Sequence, residues 1–196
     1  MGQMEDGYYP DYLAEGESGG SIPGAPGAAA FTLHRGAARV PVLIAVPHAG
    51  RLYPPDLAAQ LRAPAEAAHR LEDRLVDLLA AEVARRTGAW LLVAHAPRAM
   101  IDLNRAADDV DWAMVVGNGE SAEALRGAAE GAGRRARGGL GLVPRRLAGL
   151  GELWRQRLPL AELAARIDQV HRPYHQALAA ALHDLRDQWG EALLLD

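Results

Sequence analysis

His48 is the residue best placed to do chemistry. It stands in Pro47-His48-Ala49-Gly50, directly after the apolar run Pro41-Val42-Leu43-Ile44-Ala45-Val46. A short run rich in β-branched residues and bounded by prolines reads as a buried strand. Ligands bind at the carboxyl ends of strands in open α/β sheets, where His48 would sit. Pro47 fixes the chain as it leaves the strand, and Gly50 permits a tight turn that brings backbone close to a ligand. An imidazole there can bind a metal or move a proton; the alternative is a histidine that caps a loop.

Two other groups carry reactive side chains. In Arg98-Ala99-Met100-Ile101-Asp102-Leu103-Asn104-Arg105, extended backbone would point Asp102 and Asn104 to one side. Guanidinium groups beside an amide suit bidentate capture of a carboxylate; the alternative is a loop in which Arg105 pairs with Asp102. Glu72, Asp73 and Asp77 form an acidic cluster at the start of a helical pattern. Acids in a first helical turn favour the helix dipole, which accounts for Glu72 and Asp73 but not for Asp77. A carboxylate near His48 would complete part of a zinc site, whose catalytic form has three protein ligands.

The remaining candidates are weaker. His171, His175 and His183 lie on a C-terminal helical pattern, and the first two are i,i+4 neighbours. The acid of a His-Glu-x-x-His motif is absent beside them. Gly138-Gly139-Leu140-Gly141 lacks the ending of a phosphate loop, and Arg134, Arg135 and Arg137 read as a solvated loop. No serine occupies a Gly-x-Ser-x-Gly elbow.

Composition narrows the function classes. The 196 residues are 49% hydrophobic and 23% charged, enough for one well-buried domain. Cysteine is absent, which excludes disulfides, thiolate metal sites and a cysteine nucleophile. A net charge of −4 speaks against a nucleic-acid partner, and no apolar run approaches a membrane span. No secretory leader pattern is visible, so a cytoplasmic location is expected.

The elements that must position these side chains follow from periodicity. Residues 1–30 are acidic and then rich in Gly, Ser, Pro and Ala, which predicts a flexible leader before a single domain over 31–196. A strand is predicted over 40–46, a short helix after Tyr53-Pro54-Pro55, and a longer helix from Leu71 to Thr87. Its apolar stripe would be Leu71, Leu75, Leu78, Leu79 and Val83, with Gly88 as its stop. Trp90–Ala94 reads as a second buried strand, giving a βαβ unit. Loops around one short helix near Ala122–Ala129 follow. Leu160–Trp189 is helical with a break or kink at Pro173, and 192–195 is a final strand before Asp196.

Together these residues resemble the N-formylglutamate amidohydrolase family. The matching pieces are Val46–Pro54, Asp73-Arg74-Leu75-Val76-Asp77, Arg98–Arg105, Gly139–Arg145, Arg172-Pro173-Tyr174-His175 and Gly190–Asp196. Six motifs fall in family order across about residues 40–196. Ala49 stands where the family often has serine, and the histidine that follows the last strand's aspartate in the family is not present after Asp196.

The resemblance implies an α/β domain with a mainly parallel or mixed sheet flanked by helices, of the zinc-carboxypeptidase or phosphorylase/hydrolase-like kind, without its C-terminal segment. It implies metal-assisted hydrolysis of an N-formyl or other N-acyl amino acid such as N-formylglutamate, with zinc or another divalent metal as cofactor. His48 and Asp73 would be metal ligands and catalytic residues, with Glu72 as rival ligand. Arg98, Asp102, Asn104 and Arg105 would bind an acidic small-molecule substrate, with Arg145 as a second clamp and His175 lining the pocket. The alternative is a non-catalytic or truncated α/β domain that binds an acidic small molecule through the same arginines.

Overall fold

The structure, a computed structural model, describes residues 16–117 and 138–196. Its centre is a five-stranded mixed sheet in the order β1-β2-β4-β3-β9. These strands are β1 (Glu17–Gly19), β2 (Phe31–His34), β3 (Val42–Val46), β4 (Trp90–Ala94) and β9 (Leu193–Leu195). β3 runs parallel to β4 on one side and to β9 on the other, while β2 is antiparallel to β4. Between β3 and β4 lie α1 (Pro55–Gln60), α2 (Pro64–Leu71) and α3 (Val76–Thr87), which completes the expected βαβ unit. Short strands β5 to β8 form two small pairs between residues 115 and 159.

Helices cover both faces. On one, Ala80, Ala81 and Ala84 of α3 pack on Ile44, Val46, Leu91 and Val93. On the other, Leu43, Phe31 and Leu92 meet α4 (Leu160–Arg166), a π-helical turn (Ile167–His171) and α5 (Arg172–Trp189). No helix among the described residues is long and apolar enough to cross a membrane.

Three details correct the sequence reading. The part of the predicted leader that lies within the described residues belongs to the fold: β1 pairs with β2, and Ile22 and Ala30 are buried in the main core. The predicted helix from Leu71 is interrupted at residues 72–75, where Leu75 takes a left-handed conformation at φ 65°. Three members of the expected stripe accordingly face outward, Leu75 63%, Leu79 65% and Val83 39% exposed, while Leu71 is buried in the core and Leu78 is half-buried. Asp77, Ala80, Ala81 and Ala84 share the same helical spacing and form the buried face instead. Small side chains let the helix lie close on the sheet.

The third detail concerns Pro173, which neither breaks nor sharply ends the helix. A π-helical turn, Ile167–His171, precedes it and joins the two α-helical stretches, a place where helices commonly bend. Pro173 cannot donate to the Gln169 carbonyl, and the Ser21 N–H does so at 2.9 Å. Gly20, at φ 60°, allows this approach: a Cβ there would lie 2.6 Å from that carbonyl. The short helix expected near 122–129 and the arginines at 134, 135 and 137 lie outside the described residues.

Candidate functional site

β3 delivers His48 to the carboxyl end of the sheet, as its sequence predicts. Gly50 is required there, because a Cβ would fall 2.0 Å from the Ala96 carbonyl oxygen. The close approach is to the neighbouring loop rather than to a ligand. That contact anchors Arg51, whose guanidinium pairs with the buried Asp77 carboxylate. Asp77 therefore faces inward and holds the His48 loop from the α3 side.

The interruption before α3 positions Asp73. Its N–H donates to the His48 carbonyl at 3.0 Å, and its carboxylate lies 3.5 Å from His48 Nδ1. A left-handed non-glycine residue such as Leu75 costs about 1 kcal/mol, which the turn absorbs. Glu72, the rival acid, is turned away: its buried carboxylate pairs with Arg74 at 3.4 Å and neighbours Tyr53. Burial pushes the Tyr53 hydroxyl up, and Glu72 adds to it.

Behind His48 stands Asp102. Its Oδ1 accepts from His48 Nε2 at 2.9 Å and from the Asn104 N–H at 3.0 Å. Its Oδ2 accepts from Arg98, 3.0 Å from Nε and 2.9 Å from the terminal nitrogen. Arg105 Nε stands 3.7 Å off. Burial works to raise the Asp102 carboxyl, but His48, Arg98 and the Asn104 amide outweigh it and hold it at about 2. The ionised carboxylate only accepts, so Nε2 carries a proton toward Asp102 and Nδ1 is the ring nitrogen turned toward Asp73. A carboxylate fixing the far nitrogen of a histidine is the usual support of a metal-ligating imidazole.

The loop carrying Asp102 differs from the extended segment read from the sequence. Residues 102–105 form a turn, closed by the Arg105 N–H on the Asp102 carbonyl at 3.1 Å. Asp102 is consequently buried while Asn104 is exposed, so the two do not share a face. Arg98, expected to face substrate, is spent on Asp102. Leu142, whose carbonyl accepts the Asp102 N–H at 2.7 Å, and the buried Arg166, which donates to the Met100 carbonyl at 2.9 Å, brace the loop.

Beyond Asp102 opens a cavity of about 530 Å³. Ala45, Leu194 and Asp196 line it from the sheet, Asn104 and Arg105 from the loop, and His171, Tyr174 and His175 from the helix. His171 Nε2 donates to the Arg105 carbonyl at 2.8 Å, and its ring lies 4.3 Å from that of His175. Burial holds both histidines below the ordinary value, against the Arg105 and Leu103 carbonyls, which favour the charged forms. Of the expected substrate residues, Asn104, Arg105 and His175 thus meet at one cavity. Arg145 is not among the lining residues and is held by Asp111 at 3.2 Å and Glu152 at 3.7 Å.

The sequence reading missed two connections. By resemblance Asp102 reads as a substrate residue, and its bond to His48, 54 residues away, is visible only in the structure. Tyr174 carried no signal beyond its place between Pro173 and His175. Among the described residues no three histidine, aspartate or glutamate side chains converge as a metal cluster. His48 Nδ1 and Asp73 nevertheless stand at the spacing of adjacent tetrahedral zinc ligands, about 3.4 Å.

The chain as a whole has known relatives. The sequence profile of the N-formylglutamate amidohydrolase family matches residues 40–196. The N-formylglutamate deformylase of Pseudomonas aeruginosa PAO1 is 32% identical over 166 residues, covering 81% of this chain and 51% of the relative. The crystal structure of an N-formylglutamate amidohydrolase from Ralstonia eutropha JMP134 superposes with a TM-score of 0.73 at 31% identity, over 85% of this chain and 56% of that one. The chain spans about half the length of these relatives. The chain belongs to the N-formylglutamate amidohydrolase family.

Proposed function

We propose that this chain carries the core of a metal-dependent hydrolase that cleaves the amide of an N-formyl amino acid, N-formylglutamate being the substrate its relatives' names indicate. The observation that carries the reading is the His48 imidazole, fixed at Nε2 by an ionised buried carboxylate and facing Asp73 across 3.5 Å with Nδ1. His48 Nδ1 and the Asp73 carboxylate are the groups that would hold a divalent ion, and a nitrogen–oxygen donor pair suits zinc. An ion held there supplies Lewis-acid polarisation of the amide carbonyl and acidifies water.

The remaining work belongs to side chains. Asp102 holds the His48 tautomer and ring plane. Arg98 keeps Asp102 ionised. Arg105 and Asn104 present donors from the neighbouring cavity wall to a substrate carboxylate, and orienting the substrate sets the geometry of attack. Asp73, largely exposed, is the carboxylate within reach of a proton at the reacting centre.

The test is zinc binding together with formate release from N-formylglutamate. Zinc binding is expected to be lost in His48→Ala and weakened about 10- to 100-fold in Asp102→Asn, since supporting residues of that kind typically change affinity by this factor. Formate release is expected to fall with it. Zinc affinity unchanged in His48→Ala would overturn the assignment.

A further inference from the structure

Arg51 and Asp77 form an ion pair that stability alone does not explain. Asp77 lies on the inner face of α3 with Ala80, Ala81 and Ala84, and is only 1% exposed. Its Oδ2 accepts from the Arg51 guanidinium, while its Oδ1 is buried and has no hydrogen-bond partner among the described residues. A carboxylate buried in an apolar layer with one oxygen unpaired is costly. An apolar pair of similar volume in such a place is commonly as stable or more so. Leucine has the outline of aspartate, with methyl groups in place of the two oxygens, so an apolar residue of the same size exists for this position.

The placement of the pair gives it a use. Arg51 follows His48 by three residues, and Asp77 follows Asp73 by four. Each segment that carries a candidate metal ligand therefore contributes one partner. The segments also meet at His48 itself, where the Asp73 N–H donates to the His48 carbonyl at 3.0 Å. That single bond leaves the Asp73 segment free to pivot, and a second fastening beyond Leu75 removes the freedom. Leu75, left-handed at φ 65°, turns the chain between the two fastenings, so that Asp73 meets the His48 loop before α3 begins and Asp77 meets Arg51 from its first turn. The Arg51 end is anchored as well. Gly50 lies against the Ala96 carbonyl, and the Leu52 N–H donates to the His95 carbonyl at 3.1 Å. The 3.5 Å between His48 Nδ1 and the Asp73 carboxylate is thus fixed between two cross-links.

We propose that Arg51 and Asp77 are positioning residues: their ion pair holds the Asp73 segment against the His48 loop at the separation that a divalent cation requires. The pair acts through the backbones of the two segments. This rests on the hydrolase reading for the identity of the reaction, not for the spacing of the two ligands.

The experiment compares wild type with Arg51→Met and with Arg51→Met/Asp77→Leu in the full chain, by urea unfolding and by zinc titration. Formate release from N-formylglutamate is measured alongside. Arg51→Met leaves a buried carboxylate unpaired and is expected to lower the urea midpoint. The double variant removes both charges and is expected to return the midpoint to the wild-type value or above it. Its zinc affinity is nevertheless expected to stay about tenfold below wild type, the lower end of what residues supporting a metal ligand contribute. Arg51→Lys, which keeps a cation opposite Asp77, is expected to recover most of that affinity. A double variant that matches wild type in both midpoint and zinc affinity overturns the positioning role, because the pair then serves the fold alone. If the double variant does not fold, Asp77→Asn decides: it keeps the shape and drops the charge, and unchanged zinc affinity overturns the proposal. Weakened zinc binding that Arg51→Lys restores, in a chain that releases no formate, upholds the positioning role and overturns only hydrolysis. Formate release with zinc affinity unchanged in the double variant overturns the positioning role and leaves hydrolysis standing. A wild type that binds no zinc overturns both.

Discussion

The two sides of Asp102 are built on opposite plans. Toward His48, the Asp102 oxygens are occupied by an imidazole, a guanidinium and a backbone amide. Toward Arg105, three buried polar atoms of cavity-lining residues, Arg105 Nε, the Tyr174 hydroxyl and His175 Nε2, have no hydrogen-bond partner. The first side is organised by the protein's own residues, at the cost of burying charge that must stay paired. The second carries hydrogen-bonding groups that no other protein group in the described residues meets. The difference separates a side whose charges are held by the fold from one whose polar groups the fold leaves unpaired.

Breaking the paired side is expected to have the largest effect. Asp102→Ala would leave the mostly buried Arg98 guanidinium without its carboxylate and should destabilise the fold by about 3 kcal/mol, measured by urea unfolding. A loss below about 1 kcal/mol would show that the His48 side is not held as tightly as its bonds indicate.

A second test uses pH to separate the sides. Asp102, held at about 2, stays ionised between pH 5 and 8 and contributes no slope there. Burial holds His171 and His175 on the cavity side, and His95 on the opposite face of the sheet, below the ordinary histidine value. The unfolded chain takes up protons near pH 6.5, where these folded rings do not. Stability is therefore complete above that pH and declines as pH falls beneath it. Urea midpoints measured from pH 7.5 to 5.5 should show the decline, and His171→Gln/His175→Gln should reduce the slope, with His95 contributing the remainder.

The smallest effect distinguishes the sides most sharply. Tyr174→Phe deletes a buried hydroxyl that has no partner, so stability should stay within about 0.5 kcal/mol of wild type or rise slightly. A loss above about 1 kcal/mol in the ligand-free chain would mean the hydroxyl is already satisfied, and the contrast between the two sides would fail.

What the sequence determined by itself was local. A proline-bounded apolar run placed β3 and a second apolar run placed β4, Gly50 marked a turn where a side chain cannot fit, and Gly88 and Gly190 closed their helices at positive φ. Such signals act over a few residues, through sterics and periodicity, and the ordered motifs carried the family resemblance. Tertiary structure alone decided the rest. Whether Leu79 or Ala81 of α3 faced the sheet depended on how closely the helix could approach it, because both sets have helical spacing. That Asp73 and not Glu72 faces His48 depended on an interrupted helix fastened to the His48 carbonyl. The role of Asp102 depended on a partner 54 residues distant, which no local pattern encodes, since a carboxylate looks the same in sequence whether it meets a substrate or a histidine.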